Sequence, residues 1–236
     1  MRPILILQHL HNDGPGYLGD WLQRQGLPVD VRNTEAGDAF PGDMDNHSGL
    51  AILGGAMSAN DALPSLRQAE QLILEAMDRG VPVLGHCLGG QLMARAMGAA
   101  VGASPQPEIG WQPITVEATP AARAWFGDRT DTTVFHWHYE VFDLPAGAVR
   151  LAHSPACPNQ AFGIGPHLAM QFHVEIDAHK ARRWALEGEP DHLALVGNCD
   201  SVQSPEVIVA GVDRHLASHQ ALADQIYRHW ARGLRR

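Results

Sequence analysis

Cysteine is scarce in this 236-residue chain, which carries only Cys87, Cys157 and Cys199. An odd count without close pairing is no disulfide framework, so reduced thiols and a cytoplasmic protein are expected. No two cysteines have C-x-x-C spacing and no H-E-x-x-H motif occurs, so the usual zinc signatures are missing. Among 14 histidines, His9/His11 and His136/His138 are the only pairs separated by one residue. Neither pair has an evident third ligand nearby in sequence, and no metal or other cofactor is expected. Basic residues are outnumbered 17 to 26, for a formal charge of −9. That balance argues against a general nucleic-acid-binding face. No stretch approaches the ~18 apolar residues of a membrane span. The apolar run near the N-terminus, Ile4 to Leu7, is too short for a signal peptide. Neither nucleic acid nor membrane is an expected partner.

What remains is a chain long enough for one α/β domain, read as a single unit over 1–236. Short apolar runs at Pro3–Leu7, Leu27–Val31, Leu50–Leu53 and Val81–Leu84 have the shape of buried parallel strands. Between and after them, Tyr17–Gln25, Ala62–Arg79 and Gln91–Met97 read as helices. Pro64 suits the start of the second of these helices and Gly80 its stop. Strands alternating with helices predict a mostly parallel open sheet covered on both faces. From about residue 109 the pattern changes to short strand candidates, namely Ile114–Val116, Thr132–Phe135, Val149–Ala152, Gln160–Ile164 and Leu168–Phe172. They predict a small antiparallel segment that returns to the main sheet. Residues 180–236 read as an extension, with a polar surface loop over Glu187–Pro205 and then a helix. In that helix Leu222, Ile226, Trp230 and Leu234 form a single stripe, expected to dock on the core.

Three segments carry chemistry. In Val81–Gly90 an apolar strand runs into Gly85-His86-Cys87-Leu88-Gly89, and a helix follows. This is the cysteine counterpart of the G-x-S-x-G nucleophile elbow, whose glycines permit a tight strand-to-helix turn. The turn places the sulfur at the carboxyl edge of the sheet, and the helix dipole favours a thiolate there. The bland alternative is a small buried cysteine in a tight turn. In Met170–Glu175, read as a strand, His173 and Glu175 project to one side, so Glu175 can orient a His173 base for Cys87. In Ile52–Ser58 a strand ends in Gly54-Gly55, where exposed N–H groups could serve an oxyanion.

Together these segments resemble the class I, triad-type glutamine amidotransferases, and most closely their stand-alone GMP-synthase-like domains. The resemblance spans roughly residues 3 to 178. It rests on Gly54-Gly55-Ala56-Met57-Ser58, Gly85-His86-Cys87-Leu88-Gly89-Gly90-Gln91 and Gln171-Phe172-His173-Val174-Glu175. It implies a flavodoxin-like fold and a Cys87–His173–Glu175 triad. It also implies an oxyanion hole from the Gly55 and Leu88 N–H groups, and substrate contacts from Gln91, His138, Tyr139 and Glu140. The last three belong to Trp137-His138-Tyr139-Glu140-Val141, which is similar to the family's W-H-x-[DE]-x segment. Two positions depart from the family pattern, Val174 for a usual proline and Ala56 for a frequent one.

The implied reaction is hydrolysis of the glutamine side-chain amide through a thioester, with ammonia passed to a separate synthase subunit. No ATP-pyrophosphatase segment or P-loop is present, so synthesis of GMP by the chain itself is not expected. A γ-glutamyl peptidase or hydrolase acting on small γ-glutamyl amides is the main alternative. A nonhydrolytic thiol protein and a binding module using the C-terminal helix are the readings from other classes. Trp111 is expected in the core.

Overall fold

The computed structural model describes residues 1–235. Its elements, in chain order, are β1 (Ile4–Gln8), α1 (Gly16–Arg24), β2 (Val29–Asn33), β3 (Gly49–Ile52), α2 (Pro64–Asp78), β4 (Val83–His86) and α3 (Leu88–Ala96). There follow β5 (Val101–Val116), α4 (Pro120–Phe126), β6 (Asp131–Phe142), β7 (Val149–His153), β8 (Ala161–Ile164) and β9 (His167–Met170). The chain ends with α5 (Ala178–Glu187), α6 (Pro190–Leu195) and α7 (Pro205–Ala231). All nine strands join one sheet in the order β2-β1-β3-β4-β9-β8-β7-β5-β6. The first five positions are parallel neighbours. From β9 onward every pairing is antiparallel. The expected α/β sheet is therefore present, and its antiparallel portion is as wide as its parallel one. The short candidates around residues 114 and 132 are the ends of a long β5–β6 hairpin, irregular between Ala103 and Glu108.

Alternation along the buried strands sends neighbouring residues to opposite faces. Ile4, Ile6 and Ala51 join Leu18, Trp21 and Leu22 of α1 and Leu222, Ile226 and Trp230 of α7 on one side. Leu5, Leu7, Leu50 and Ile52 join α2 and α3 on the other. The stripe on α7 is thus docked on its own sheet, as expected. Trp111 is buried in a third cluster with Phe135, Ile176 and Val212.

Three helices, α4, α5 and α6, escaped the sequence pattern. Seven-residue α4 and ten-residue α5 are too short for a decisive period, although both carry side-chain caps. Thr119 accepts from the Ala122 N–H and Asp177 from the Lys180 N–H. The segment read as a loop over Glu187–Pro205 contains α6. The strand read through Phe172 stops at Met170 in β9, so His173 and Glu175 lie beyond it. A β-bridge from His173 to Phe135 helps to hold this stretch in place.

Helix α3 enters the sheet almost in contact with it. A Cβ on Gly90 would sit 2.5 Å from the Met170 carbonyl oxygen, and one on Gly85 would sit 2.6 Å from the Gly89 carbonyl carbon. These glycines are therefore required by close approach of backbones. Gly90→Ala is expected to destabilise the fold by about 1–3 kcal/mol through overpacking. Gly42→Ala, where a Cβ would meet nothing within 4 Å, should be near neutral. Urea unfolding of the two variants checks the difference.

Candidate active site

The site lies at the carboxyl ends of β3 and β4, where ligands bind in open α/β sheets. Cys87 follows β4 directly and caps α3 with φ 47° and ψ −108°. It is the only non-glycine residue with positive φ among the described residues. A backbone held there is strained, and such strain persists where the surroundings over-determine it. The Cys87 N–H donates to the Met170 carbonyl at 2.9 Å, and Gln91 returns a bond to the Cys87 carbonyl. The sulfur is nearly buried, 3.7 Å from the Trp137 carbonyl oxygen and 3.7 Å from Gln171 Nε2.

His173 donates from Nδ1 to Glu175 Oε1 at 2.6 Å. Its other nitrogen, Nε2, has no hydrogen-bond partner and belongs to a residue lining the same pocket as Cys87. The His173 carbonyl accepts from His219 Nε2 of α7 at 2.8 Å, and its N–H donates to Phe135 O at 2.9 Å. Burial works against a charged His173, but the carboxylate of Glu175 and the sulfur of Cys87 overcome it and raise the imidazole to about 10. Glu175 pays for its own burial through the same contact. His173, Lys180 and His86 hold its carboxyl well below the usual carboxylate range.

Several residues of this network were not evident from sequence. Lys180, from the first turn of α5, is buried and pairs with Asp13. Its Nζ also donates to the Gly14 carbonyl at 3.1 Å and lies 3.4 Å from Glu175 Oε1. His86 Nδ1 donates to Ile52 O, and its Nε2 lies 3.8 Å from Glu175 Oε2. Trp184 stacks edge-on to His173 at 5.0 Å. The only advance signals were the Asp177 cap, which fixes the start of α5, and the position of His86 inside the elbow motif.

The remaining predicted residues meet at a pocket of about 440 Å³. Gly55, Gln91, His138, Tyr139 and Glu140 line it together with Cys87 and His173. Leu88 is buried behind it, and a Cβ on Gly55 would touch the Leu88 side chain at 2.7 Å. Neither the Gly55 nor the Leu88 N–H has an acceptor among the described residues. Gln91 does not reach into open space. Its amide donates to the Glu140 carbonyl at 3.1 Å and to Gln171 Oε1 at 3.4 Å, tying α3 to β6 and to the segment after β9. Glu140 accepts from Ser58 Oγ at 2.9 Å. The far wall comes from the segment that was expected to be a mere surface loop. Glu189 accepts from Trp137 Nε1 at 3.0 Å and from Tyr139 OH at 3.2 Å, with Glu187 and Asp191 beside it. Away from Cys87 and His173, Glu108, His136 and His138 bring one donor atom each within 4.8 Å of the others, the one such group among the described residues.

The sequence profile described as "Glutamine amidotransferase class-I" matches residues 20–187, well over half of the chain. The chain belongs to the class I glutamine amidotransferases. Membership carries the general activity of that family, hydrolysis of a glutamine amide. A glutamine amidotransferase-like protein of Salmonella typhimurium, YfeJ, is 32% identical over 201 residues, covering 81% of each chain. A glutamine-hydrolysing GMP synthase subunit of Thermoplasma acidophilum is 29% identical over 74% of this chain and 86% of its own. Among solved structures, a glutamine amidotransferase from Methylobacillus flagellatus superposes with a TM-score of 0.96. It is 37% identical over 100% of this chain and 96% of its own. Another from Thermotoga maritima gives 0.85 at 27% identity, covering 97% of both chains. The superpositions extend over α5 to α7, so this amidotransferase shares its C-terminal helices with both solved structures. No helix among the described residues is long and apolar enough to cross a membrane.

The charge state of the site sets a pH signature for stability. His173 has its folded value raised above 6.5, so its contribution is complete below about 6.5 and is lost as the pH climbs through about 10. His9, His167 and His219 are kept neutral by burial, each lowered to about 4, so they weaken the fold as the pH falls below about 6.5. The melting temperature of the wild type is expected to peak near neutrality. In Glu175→Gln the alkaline limb between about 6.5 and about 10 should flatten, because His173 loses the carboxylate that raised it. An unchanged alkaline limb in calorimetry would contradict that assignment.

Proposed function

We propose that this amidotransferase hydrolyses the side-chain amide of glutamine through a γ-glutamyl thioester on Cys87, with His173 and Glu175 completing a triad. The observation that carries the reading is the 2.6 Å contact between His173 Nδ1 and Glu175, which leaves Nε2 free in the pocket that Cys87 lines. A thiolate at Cys87 attacks the amide carbon. The resulting oxyanion is received by the unsatisfied N–H groups of Gly55 and Leu88. Each such donor is typically worth about 3 kcal/mol of transition-state stabilisation. His173, held protonated beside Glu175, gives its proton to the departing nitrogen, and the C–N bond breaks to leave ammonia and the thioester. His173 then takes a proton from water, which attacks the thioester and releases glutamate and the thiol. Similarity to a glutamine-hydrolysing GMP synthase subunit suggests that the ammonia would pass to a separate synthase chain. Gln91 and Gln171 serve this scheme by fixing the walls around the sulfur, while His138, Tyr139 and Glu140 line the substrate space.

A diazoketone analogue of glutamine is expected to add once, at Cys87, with glutamine protecting the thiol. Cys87→Ala should remain folded and lose turnover. Intact-protein mass spectrometry and ammonia release read the two results, and full activity in Cys87→Ala would sink the mechanism.

One observation favours a second reading, hydrolysis of γ-glutamyl amides whose leaving group is a cationic amine. Glu140, Glu187, Glu189 and Asp191 line the pocket together with Asp13, and among the described residues no lysine or arginine does. Asp13 is committed to Lys180, and the other four give the wall away from the elbow a negative character. Removing a charged hydrogen-bond acceptor costs about 1.5–3 kcal/mol, or roughly tenfold and more in binding. On this reading Glu189→Gln raises KM for a γ-glutamyl diamine by about tenfold while the KM for glutamine changes far less. Equal effects on both would favour glutamine as the substrate.

A further inference from the structure

The densest group of unsatisfied polar atoms outside the triad lies under the β5–β6 hairpin. Strand register puts Glu108 directly opposite His138, and His136, two residues earlier on β6, projects to the same face. All three side chains are buried, with His136 at 0% exposure. Both ring nitrogens of His136 lack any hydrogen-bond partner, and so do both of His138. His138 Nε2 approaches Glu108 Oε2 to 3.3 Å without the alignment of a hydrogen bond. A fifth unpartnered atom, Gln160 Oε1, belongs to an amide that already touches Glu108. Each buried polar atom left this way costs about 1–3 kcal/mol, so a cluster of them calls for a partner that can take one ligand atom from each side chain.

The chemistry of the donors says which partner. Each neutral imidazole presents one lone pair, on the ring nitrogen that carries no proton, and the Gln160 amide oxygen can present another. Burial keeps His136 neutral, lowering it to about 3, and neutral imidazole is the form that binds a metal. Against the cost of its burial, Glu108 is held below the usual carboxylate range by His138 and His136. Its two oxygens are oriented by Ser154 Oγ at 2.8 Å and Gln160 Nε2 at 2.5 Å. Outer hydrogen bonds of this kind orient metal-binding carboxylates. Two imidazoles and one carboxylate suit borderline first-row ions rather than magnesium or calcium, which take oxygen ligands.

We propose that Glu108, His136 and His138 bind one divalent transition-metal ion of the zinc class, which clamps β5 to β6. The sequence concealed the site because Glu108 lies 28 positions before His136 and meets it only through the hairpin register. The two histidines flank Trp137, whose carbonyl lies 3.7 Å from the Cys87 sulfur, so the clamp would stiffen the strand beneath the nucleophile. The inference does not depend on the reaction assigned above, because metal content is read directly.

The test uses the full chain without an affinity tag, unfolded and refolded with Zn(II) or Co(II), then freed of loose metal on a chelating resin. Mass spectrometry of the metal content is expected to find about one ion per chain, since ligands of this kind are brought together by folding. Glu108→Gln and His136→Gln are expected to retain at least tenfold less. The loaded wild type should melt higher than the metal-free protein, and that gap should close in His136→Gln. The cobalt form should absorb in the visible through d–d bands without a thiolate charge-transfer band. Should the variants fail to fold, the wild-type stoichiometry and cobalt spectrum decide alone. Metal at background level in refolded wild type overturns the proposal in favour of a metal-free polar network. A thiolate band that disappears in Cys87→Ser overturns it by moving the ion to the nucleophile.

Discussion

The structure turns on one buried carboxylate. Glu175 has no solvent exposure, yet it is the common neighbour of His173, Lys180 and His86. An ion in that position is tolerable only when its partners are fixed, because removing one member of a buried pair costs about 3–5 kcal/mol. The partners come from far apart: Lys180 from α5, His86 from the end of β4, and Asp13, which closes the far side of Lys180, from the loop after β1. Satisfying Glu175 therefore brings the loop after β1, the end of β4 and the start of α5 together around the elbow. The Glu175 carbonyl adds to this by accepting from the Tyr17 N–H at the start of α1.

The elbow is the local counterpart of that constraint. Cys87 is held at positive φ because β4 must end, α3 must begin, and both must fit against β3 and β9 with no room for a Cβ at Gly90. Strain at Cys87 is thus maintained by the close backbone packing around Gly85 and Gly90. The Cys87 N–H is satisfied by Met170, which leaves the Leu88 N–H as the first unclaimed donor of α3.

The parallel half of the sheet, the elbow and the His173–Glu175 pair were legible because each is written in adjacent residues. A five-residue apolar run, a G-x-C-x-G turn and an H-x-E spacing need no distant partner to be recognised. Even there the reason was imperfect. His173 and Glu175 meet beyond the end of β9, in a stretch pinned by Phe135 and His219 rather than by strand alternation alone. What could not be read depends on tertiary proximity. Lys180 looks like an ordinary surface lysine of a polar helix, and only the fold buries it. Glu189 sits in a turn-rich stretch that composition marks as loop, and only its bonds to Trp137 and Tyr139 make it a wall. The β5–β6 hairpin was underestimated because residues such as Pro105, Gln106 and Pro107 break the alternation in its irregular part.

The pocket is divided between two stretches of chain with different obligations. Cys87 and the backbone of Gly55 and Leu88 are held at the edge of the sheet, against its core. The opposing wall, from Glu187 to Asp191, follows α5 and touches β6 through the Glu189 contacts to Trp137 and Tyr139. Amino-acid changes in those few positions can alter what the cavity accepts without disturbing the strained turn across from them. The fold thus offers an evolving lineage a place to explore new amides while the bond-breaking apparatus stays unchanged.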